Sequence, residues 1–311
     1  MIIATAEDVR RALPMAKAIE LVSAAMVMVS EGKANLPLRS AMDIDGVNKL
    51  GIMPGVLGDI YGVKLISLFP GNPAKGLSSH IGAMVLFDPS TGAPSAMVDA
   101  DALTAIRTAA ASAVATRALS RENATTLAII GTGEQAHSHI EAISAVRDIH
   151  NIRIAGRSFE RSQGFVRGLP LPATACASAQ EAVQGADIIC TVTSSPTPVL
   201  QGEWVAKGAH INAVGASVPS MQEIDQTVLL RSALFTDYRP SALAQASEIM
   251  AAIAAGKIDE TAILGEIGEV LAGKVIGRRS PDDITLYRSL GIAAQDLICA
   301  DFVRRKMPAN G

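Results

Sequence analysis

The chain reads Leu127-Ala128-Ile129-Ile130-Gly131-Thr132-Gly133-Glu134-Gln135-Ala136 where an apolar run meets a polar run of helical character. This is the GxGxxA pattern of dinucleotide-binding loops. Gly131 allows the tight turn, Gly133 allows close approach of a pyrophosphate, and Ala136 allows close packing of helix on strand. The free N–H groups and the dipole of a helix that begins near Glu134 attract phosphate. An isolated GxGxxA also occurs in ordinary glycine turns, but here a strand and a helix flank it, so the sequence predicts dinucleotide binding.

Strand-like and helix-like segments alternate from residue 126 onward. The predicted strands cover 126–130, 151–155, 173–176, 187–191, 210–214 and 233–236, and the predicted helices cover 134–146 and 158–166. Such alternation forms βαβ units and a parallel sheet. The predicted fold class is therefore α/β, with a doubly wound (Rossmann) dinucleotide-binding domain. One more short strand is expected past Asp283, followed by a final helix over 291–306.

The N-terminal part of the chain has a different texture. Short β-type runs at 49–53, 61–69, 83–87 and 95–98 are separated by clusters of Pro, Gly and Asn. This pattern predicts an antiparallel sheet. Apolar periodicity predicts one helix over 5–31, ended by Gly32, and another over 101–120. This part of the chain is therefore expected to form a mixed α+β domain.

Arg157 and Ser158 follow the second predicted strand of the α/β region. They lie about 20 residues beyond the glycine loop, where an acidic residue would bind the ribose 2′-hydroxyl of NAD. A cation and a hydroxyl suit the 2′-phosphate of NADPH instead. NADPH is therefore the preferred prediction and NADH remains possible. Alternatively, Arg157 stacks on adenine or is a solvated residue at the helix start.

Arg39, Lys64 and Arg107 are basic residues in otherwise apolar or small-residue settings. Each alone is typical of a surface charge, and a lysine in a strand usually faces solvent. Together they have the chemistry of a carboxylate site, because Arg presents a bidentate fork and Lys a point charge.

The charge balance excludes several classes of partner. The net charge is −3, from 27 basic and 30 acidic residues, without a basic tract. This argues against nucleic acid and anionic membrane as main partners. Cys176, Cys190 and Cys299 fit no CxxC or zinc spacing and are expected as structural thiols in a reducing cytosol. The segment 1–14 lacks the apolar core of a signal peptide, so a cytoplasmic protein is expected.

Several segments together resemble the ornithine cyclodeaminase and mu-crystallin family over nearly the whole chain. They are 36–39, 64–69, 79–80, 86–88, 91–92, 103–104, 107–110, 131–136, 208–215 and 289–291, with Asp296. The resemblance implies that Arg39, Lys64 and Arg107 hold a substrate carboxylate, with Lys64 also the proton donor. It implies a homodimer joined through the mixed domain. The substrate-binding and dimerisation domain is expected at 1–117 and 285–311, and the Rossmann domain at 118–284.

Ser217 is the main departure from the cyclodeaminase pattern. The cyclodeaminases have an aspartate in this segment, which engages the substrate's amino group. A neutral hydroxyl cannot supply that charge, whereas a cyclic imine has no free ammonium to hold. In this segment the chain looks like the ketimine reductase branch, and Ser217 is a candidate active-site residue because ligands bind at strand C-termini in doubly wound sheets. Alternatively, it only lines the loop.

The resemblance implies NAD(P)H-dependent reduction of a small cyclic imine carboxylate. The first choice is 1-pyrroline-2-carboxylate to L-proline, with 1-piperideine-2-carboxylate to L-pipecolate accepted too. Three alternatives remain open. They are an ornithine cyclodeaminase, a reductive amination enzyme of the alanine dehydrogenase type, and a nucleotide-linked ligand-binding protein with little turnover.

Histidines are the other residues that could take part in chemistry. His80 is either a buried structural histidine or a proton relay near the substrate. His137 and His139 lie on different faces of a helix, so no metal site is predicted. The residues expected to bind the cofactor are Arg107, Thr108, Gly131, Gly133, Glu134, Gln135, Ala136, Arg157, Ser158, Thr193, Val214 and Gly215.

Overall fold

The computed structural model describes residues 1–308. The chain divides into two compact units, one made of Met1–Arg107 with the chain from Ile292 onward, and the other of Thr108–Gly291. These boundaries differ from the expected ones at 117/118 and 284/285. The last part of the predicted domain, 309–311, lies outside the described residues.

The N-terminal part of the chain is rich in strands. In order, it forms β1 (Ile2–Ala4), α1 (Ala6–Ala12), α2 (Met15–Ser30), β2 (Ala34–Asn35), β3 (Ser40–Asp43), β4 (Lys49–Leu57), β5 (Ile60–Leu68), β6 (His80–Phe87), β7 (Pro94–Asp99) and α3 (Ala100–Leu119). A single 3₁₀ turn, Asn72–Lys75, lies between β5 and β6.

The rest of the chain alternates between strands and helices. It forms β8 (Thr126–Ile130), α4 (Glu134–Ser144), β9 (Asn151–Ala155), α5 (Phe159–Arg167), β10 (Thr174–Ala175), α6 (Ala179–Val183), β11 (Ile188–Thr191), β12 (His210–Ala213), α7 (Gln226–Arg231), β13 (Ser232–Thr236), α8 (Arg239–Gln245), α9 (Ser247–Ala254), β14 (Ile263–Glu266), α10 (Ile267–Leu271), β15 (Ile284–Arg288) and α11 (Ala293–Lys306).

The sheet of the first unit is antiparallel, as predicted, except at one edge. Its strand order is β1-β7-β6-β5-β4-β2, with β3 also paired to β4, and β1 runs parallel to β7. Helix α11, from the far end of the chain, packs against β4 and β5 and against α2. Leu297 of α11 is fully buried there. The last helix therefore completes the core of the unit that the N-terminal residues begin.

The single helix expected over 5–31 is instead two helices bent by 86°. Thr5 caps α1 in a capping box with Asp8. Leu13 leaves helical geometry at φ −118° and ψ 78°, and Pro14 follows with ψ 149°. A proline disfavours helical geometry in the residue before it, so α1 ends there despite the continuous apolar pattern.

In residues 1–308, no single helix has the length and apolar character needed to cross a membrane. By length and composition alone, the bent pair α1 and α2 meets that test.

The second unit has the predicted doubly wound architecture. All strands of its sheet are parallel, in the order β10-β9-β8-β11-β12-β15-β13-β14. The chain reverses direction across the sheet between β8 and β11, and ligands of such sheets bind at the strand C-termini near this point. Strand β15 pairs with β12 on one side and β13 on the other. The expected boundary at 284/285 is therefore wrong, because it would remove a central strand from the sheet.

The three cysteines are buried and unpaired, as expected for structural thiols. Burial raises the pKa of Cys190 to about 12, which keeps it protonated.

We predict that Leu297→Ala lowers the free energy of unfolding by about 2–5 kcal/mol, because it leaves a cavity in a packed core. Equilibrium urea unfolding measures the change. Leu77→Ala is the control in the same unit, since Leu77 is 53% exposed and should change stability little. Equal stability losses in the two variants would contradict the packing of α11.

Candidate active site

The glycine loop between β8 and α4 has the predicted geometry. Gly131 has φ +133°, and a Cβ there would lie 2.8 Å from the Val192 carbonyl oxygen. Only glycine fits that position. Gly133 is the N-cap residue of α4, with open space where a Cβ would be, and Ala136 is fully buried. A pyrophosphate could approach the backbone at Gly133, and the first N–H groups of a helix lack intrahelical partners.

Arg157 and Ser158 follow β9 at the same edge of the sheet. Arg157 is exposed. Ser158 is the N-cap of α5, where its side chain accepts a hydrogen bond from the backbone N–H of Arg161 at 3.4 Å. Ser158 therefore has a structural role, and Arg157 presents a cation to solvent beside the loop.

Lys64 lies in the middle of β5 and is buried, with 1% of its surface exposed. The solvent-facing orientation usual for a strand lysine is therefore wrong here. Its Nζ donates to Asp296 Oδ1 at 2.9 Å and to Thr104 Oγ1 at 2.5 Å. Burial lowers the pKa of Lys64 to about 8, with Asp296 opposing this shift and Arg107 and Arg39 adding to it.

Arg107 hydrogen-bonds to the same carboxylate as Lys64, that of Asp296. Its Nε donates to Asp296 Oδ1 at 3.0 Å, and its Nη1 donates to Gln295 Oε1 at 2.9 Å. Burial alone would raise the pKa of Asp296, but the adjacent Arg107 and Lys64 lower it overall. Asp296 Oδ2 is buried without a hydrogen-bond partner among residues 1–308. The carboxylate is thus held ionised by two buried cations.

Arg39 lies between β2 and β3 and is half-buried. It is close enough for its charge to lower the pKa of Lys64. The three predicted cations are therefore brought together in the first unit, with Lys64 and Arg107 in direct contact with Asp296.

Asp296 organises this cluster, although the sequence analysis assigned it no role. The available signal was one acidic residue among the apolar residues of the first turns of α11, next to Gln295. Its partners could not be identified, because they lie far away in sequence.

His80 begins β6 with part of its side chain exposed, and whether it is structural or relays a proton stays a prediction. Its Nδ1 lies 2.8 Å from Ser79 Oγ. Partial desolvation lowers the pKa of His80; the charge of Asp101 opposes this shift and the charge of Lys64 adds to it. His80 is therefore within electrostatic range of the cation cluster.

The other predicted residues lie in the second unit. Thr193 follows β11, and Val214, Gly215 and Ser217 follow β12, all at the strand C-termini. Ser217 is half-buried. Thr108 has a buried Oγ1 without a hydrogen-bond partner in the described part of the chain.

A family profile and individual known proteins match this chain over most or all of its length. The sequence profile of the ornithine cyclodeaminase/mu-crystallin family matches residues 1–311. Delta(1)-pyrroline-2-carboxylate reductase of Bacillus cereus is 34% identical, over 100% of this chain and 98% of that protein. Ketimine reductase mu-crystallin of Mus musculus is 37% identical, over 82% of this chain and 79% of that protein.

A solved structure is also very similar. It is Thermococcus litoralis Delta(1)-pyrroline-2-carboxylate reductase in complex with NADH and L-proline. The TM-score is 0.94 at 33% identity, covering 98% of this chain and 97% of that one.

We predict that Asp296→Asn lowers the pKa of Lys64 below about 8. The carboxylate charge favours the ammonium form, and a neutral amide removes that attraction while the burial and the two arginines remain. NMR titration of protein labelled with ¹³C at the lysine Cε measures the pKa.

Asp101→Asn is the matched control. It should leave the Lys64 pKa unchanged and lower the pKa of His80, whose protonated form Asp101 favours. An unchanged or higher Lys64 pKa in Asp296→Asn would contradict the prediction.

Proposed function

This chain belongs to the ornithine cyclodeaminase/mu-crystallin family, and we propose that it reduces a cyclic ketimine carboxylate with a nicotinamide dinucleotide. The first substrate is 1-pyrroline-2-carboxylate, which yields L-proline. The six-membered 1-piperideine-2-carboxylate, which yields L-pipecolate, is a second. The observation that carries the proposal is full-length similarity to a reductase whose structure holds NADH and L-proline.

The second unit fits a dinucleotide. Gly131 and Gly133 leave room for the backbone to approach a pyrophosphate, and α4 begins directly after them. Glu134, Gln135 and Ala136 begin α4, and we assign them to the same dinucleotide site. When bound, the reduced nicotinamide ring supplies a hydride to the imine carbon.

The first unit fits a carboxylate. Arg39, Lys64 and Arg107 provide the positive charge, and the burial of Lys64 and Arg107 makes their attraction for an anion stronger than it would be in water. This cluster neutralises the substrate carboxylate and thereby fixes the substrate ring in one orientation. Positioning and charge neutralisation are the main catalytic contributions expected of such a site.

Lys64 is the proposed proton donor to the imine nitrogen. With a pKa of about 8 it is largely protonated at neutral pH, yet it releases its proton more readily than an ordinary lysine. Ser217 or His80 could instead hold a water that delivers the proton. Arg107 and Thr108, next to each other in α3, are also proposed to contact the cofactor.

Ser217 favours an imine over a diamine. A hydroxyl gives no charge to hold an ammonium group, and so the segment lacks the anchor that a cyclodeaminase uses. An alanine dehydrogenase activity would need ammonia and an open-chain 2-oxo acid, and a binding protein would show little turnover.

Finer properties are part of the same proposal. Arg157, exposed beside the loop, favours NADPH through its charge on a 2′-phosphate. The family resemblance supports a homodimer, and the composition supports a cytoplasmic location without nucleic acid or membrane partners.

We predict that the purified protein oxidises NADPH when given either cyclic imine. The absorbance of the reduced dinucleotide follows the reaction, in parallel with pyruvate plus ammonium and with ornithine lacking added cofactor. Turnover of ornithine alone would indicate a cyclodeaminase. Turnover of pyruvate with ammonium alone would indicate an alanine dehydrogenase. If the protein turned over none of these substrates, it would be a binding protein.

Lys64→Met tests the cation cluster in the same assay. Its kcat/KM should fall by roughly 100-fold or more, as for loss of a general acid. Lys49→Met, on the exposed end of β4, is the matched control and should retain the parental value.

We predict that Arg157→Asp shifts the ratio of kcat/KM for NADPH over NADH toward NADH by roughly ten-fold or more, because a charge-assisted hydrogen bond to the 2′-phosphate is lost. Lys207→Asp makes the same charge change just before β12, at the N-terminal ends of the parallel strands. It should leave the ratio unchanged. If both variants kept the parental ratio, Arg157 would have no part in the preference.

A further inference from the structure

Glu223 is a buried carboxylate, with 2% exposed, that the proposed reaction does not use. Its Oε1 accepts hydrogen bonds from the backbone N–H of Thr193 at 2.6 Å and from Thr193 Oγ1 at 2.7 Å. Its Oε2 accepts from Thr191 Oγ1 at 3.0 Å, from the N–H of Gly215 at 2.6 Å and from the N–H of Ala216 at 3.1 Å. Glu223 therefore joins the ends of two neighbouring strands, β11 and β12.

These hydrogen bonds use the full accepting capacity of a carboxylate, which has about four lone-pair sites. Glu223 thus has no site left for a ligand. Its effect on a ligand must act through the loops that it holds.

The two loops approach each other very closely. A Cβ on Gly215 would lie 2.0 Å from the carbonyl oxygen of Thr193 and 2.8 Å from Glu223 Oε1. Only glycine allows this approach, and the carboxylate beneath it satisfies the N–H groups that would otherwise be buried without acceptors.

A buried cation holds the other side of the same loop. Arg288, at the end of β15, donates through Nη1 to the Ala213 carbonyl at 3.4 Å and through Nη2 to the Ala216 carbonyl. Its Nε bonds to buried Glu248. In the segment 213–216, the anion Glu223 therefore accepts from the N–H groups of Gly215 and Ala216, and the cation Arg288 donates to the carbonyls of Ala213 and Ala216.

We propose that Glu223 is a positioning residue for the dinucleotide site, which sets the spacing between Thr193 and the Val214–Gly215 backbone. The inference rests on the proposed function, since it assumes that the dinucleotide binds at these strand ends. A loop held at fixed spacing presents its groups to a ligand without an ordering cost at binding.

Asp225 is a close control. It lies two residues along the chain and also accepts from backbone N–H groups, those of Val228 at 2.8 Å and Gly202 at 3.0 Å. It caps α7, and it holds neither Thr193 nor Gly215. A loss of stability alone would therefore be common to both residues, whereas a loss of cofactor affinity would be specific to Glu223.

The test compares Glu223→Gln with Asp225→Asn. The melting temperature measures stability, and the fluorescence of bound NADPH and NADH measures the dissociation constants. A glutamine cannot accept from both loops, because its NH₂ group faces N–H donors. We expect Glu223→Gln to raise the dissociation constant by roughly ten-fold or more. Asp225→Asn should lower the melting temperature while keeping the parental dissociation constant.

Thr191→Val is a milder variant, which removes one of the hydrogen bonds to Glu223 and keeps the shape of the side chain. It should raise the dissociation constant a few-fold, and it carries the test if Glu223→Gln does not fold. Parental affinity in Glu223→Gln, or in Thr191→Val where the former is insoluble, would overturn the inference alone. A parental protein that bound neither dinucleotide would overturn the proposed function as well.

Discussion

The first unit depends on one buried carboxylate. A lysine inside a sheet is tolerated only when its charge is paired, because the desolvation of an unpaired ammonium is costly. Asp296 provides that pairing for Lys64 and for Arg107, and it lies 232 positions beyond Lys64 in the chain. Helix α11 therefore has to return to the N-terminal sheet for the cation cluster to exist. Asp296 also favours the charged form of Lys64 and fixes the positions of Lys64 and Arg107. The proposed binding of a substrate carboxylate requires both effects.

The second unit uses the same physical device at its binding edge. At the ends of parallel strands, a tight loop cannot by itself provide hydrogen-bond partners for all of the backbone N–H and carbonyl groups. Glu223 binds the N–H groups of the loop after β12, and Arg288 binds its carbonyls. Burial raises the pKa of Glu223, while the hydrogen bonds from Thr193 and the charge of Arg288 oppose that shift. Buried ions thus shape the loops that carry the proposed chemistry, and Ser217 follows directly after them.

Errors in the sequence predictions have identifiable causes. The helix break at Pro14 was missed because the apolar periodicity continues through it, although the backbone restriction of proline does not. The burial of Lys64 was left open, because strand alternation says which residues share a face of the sheet but not which face is covered. Strand β15 was assigned to the wrong domain because a short strand near a boundary shows no partner until its hydrogen bonds are known.

Local chemistry was readable from the residues alone. The glycine loop and the βαβ alternation each depend on neighbours within a few positions, so their patterns can be recognised in a linear sequence. The candidate cations could be named for the same reason. The contacts of Lys64 and Arg107 with Asp296, and those of Glu223 with two strand ends, join residues far apart in the chain. Pairing energies of that kind arise only when the folded backbone brings the charges within hydrogen-bond distance and excludes water from them.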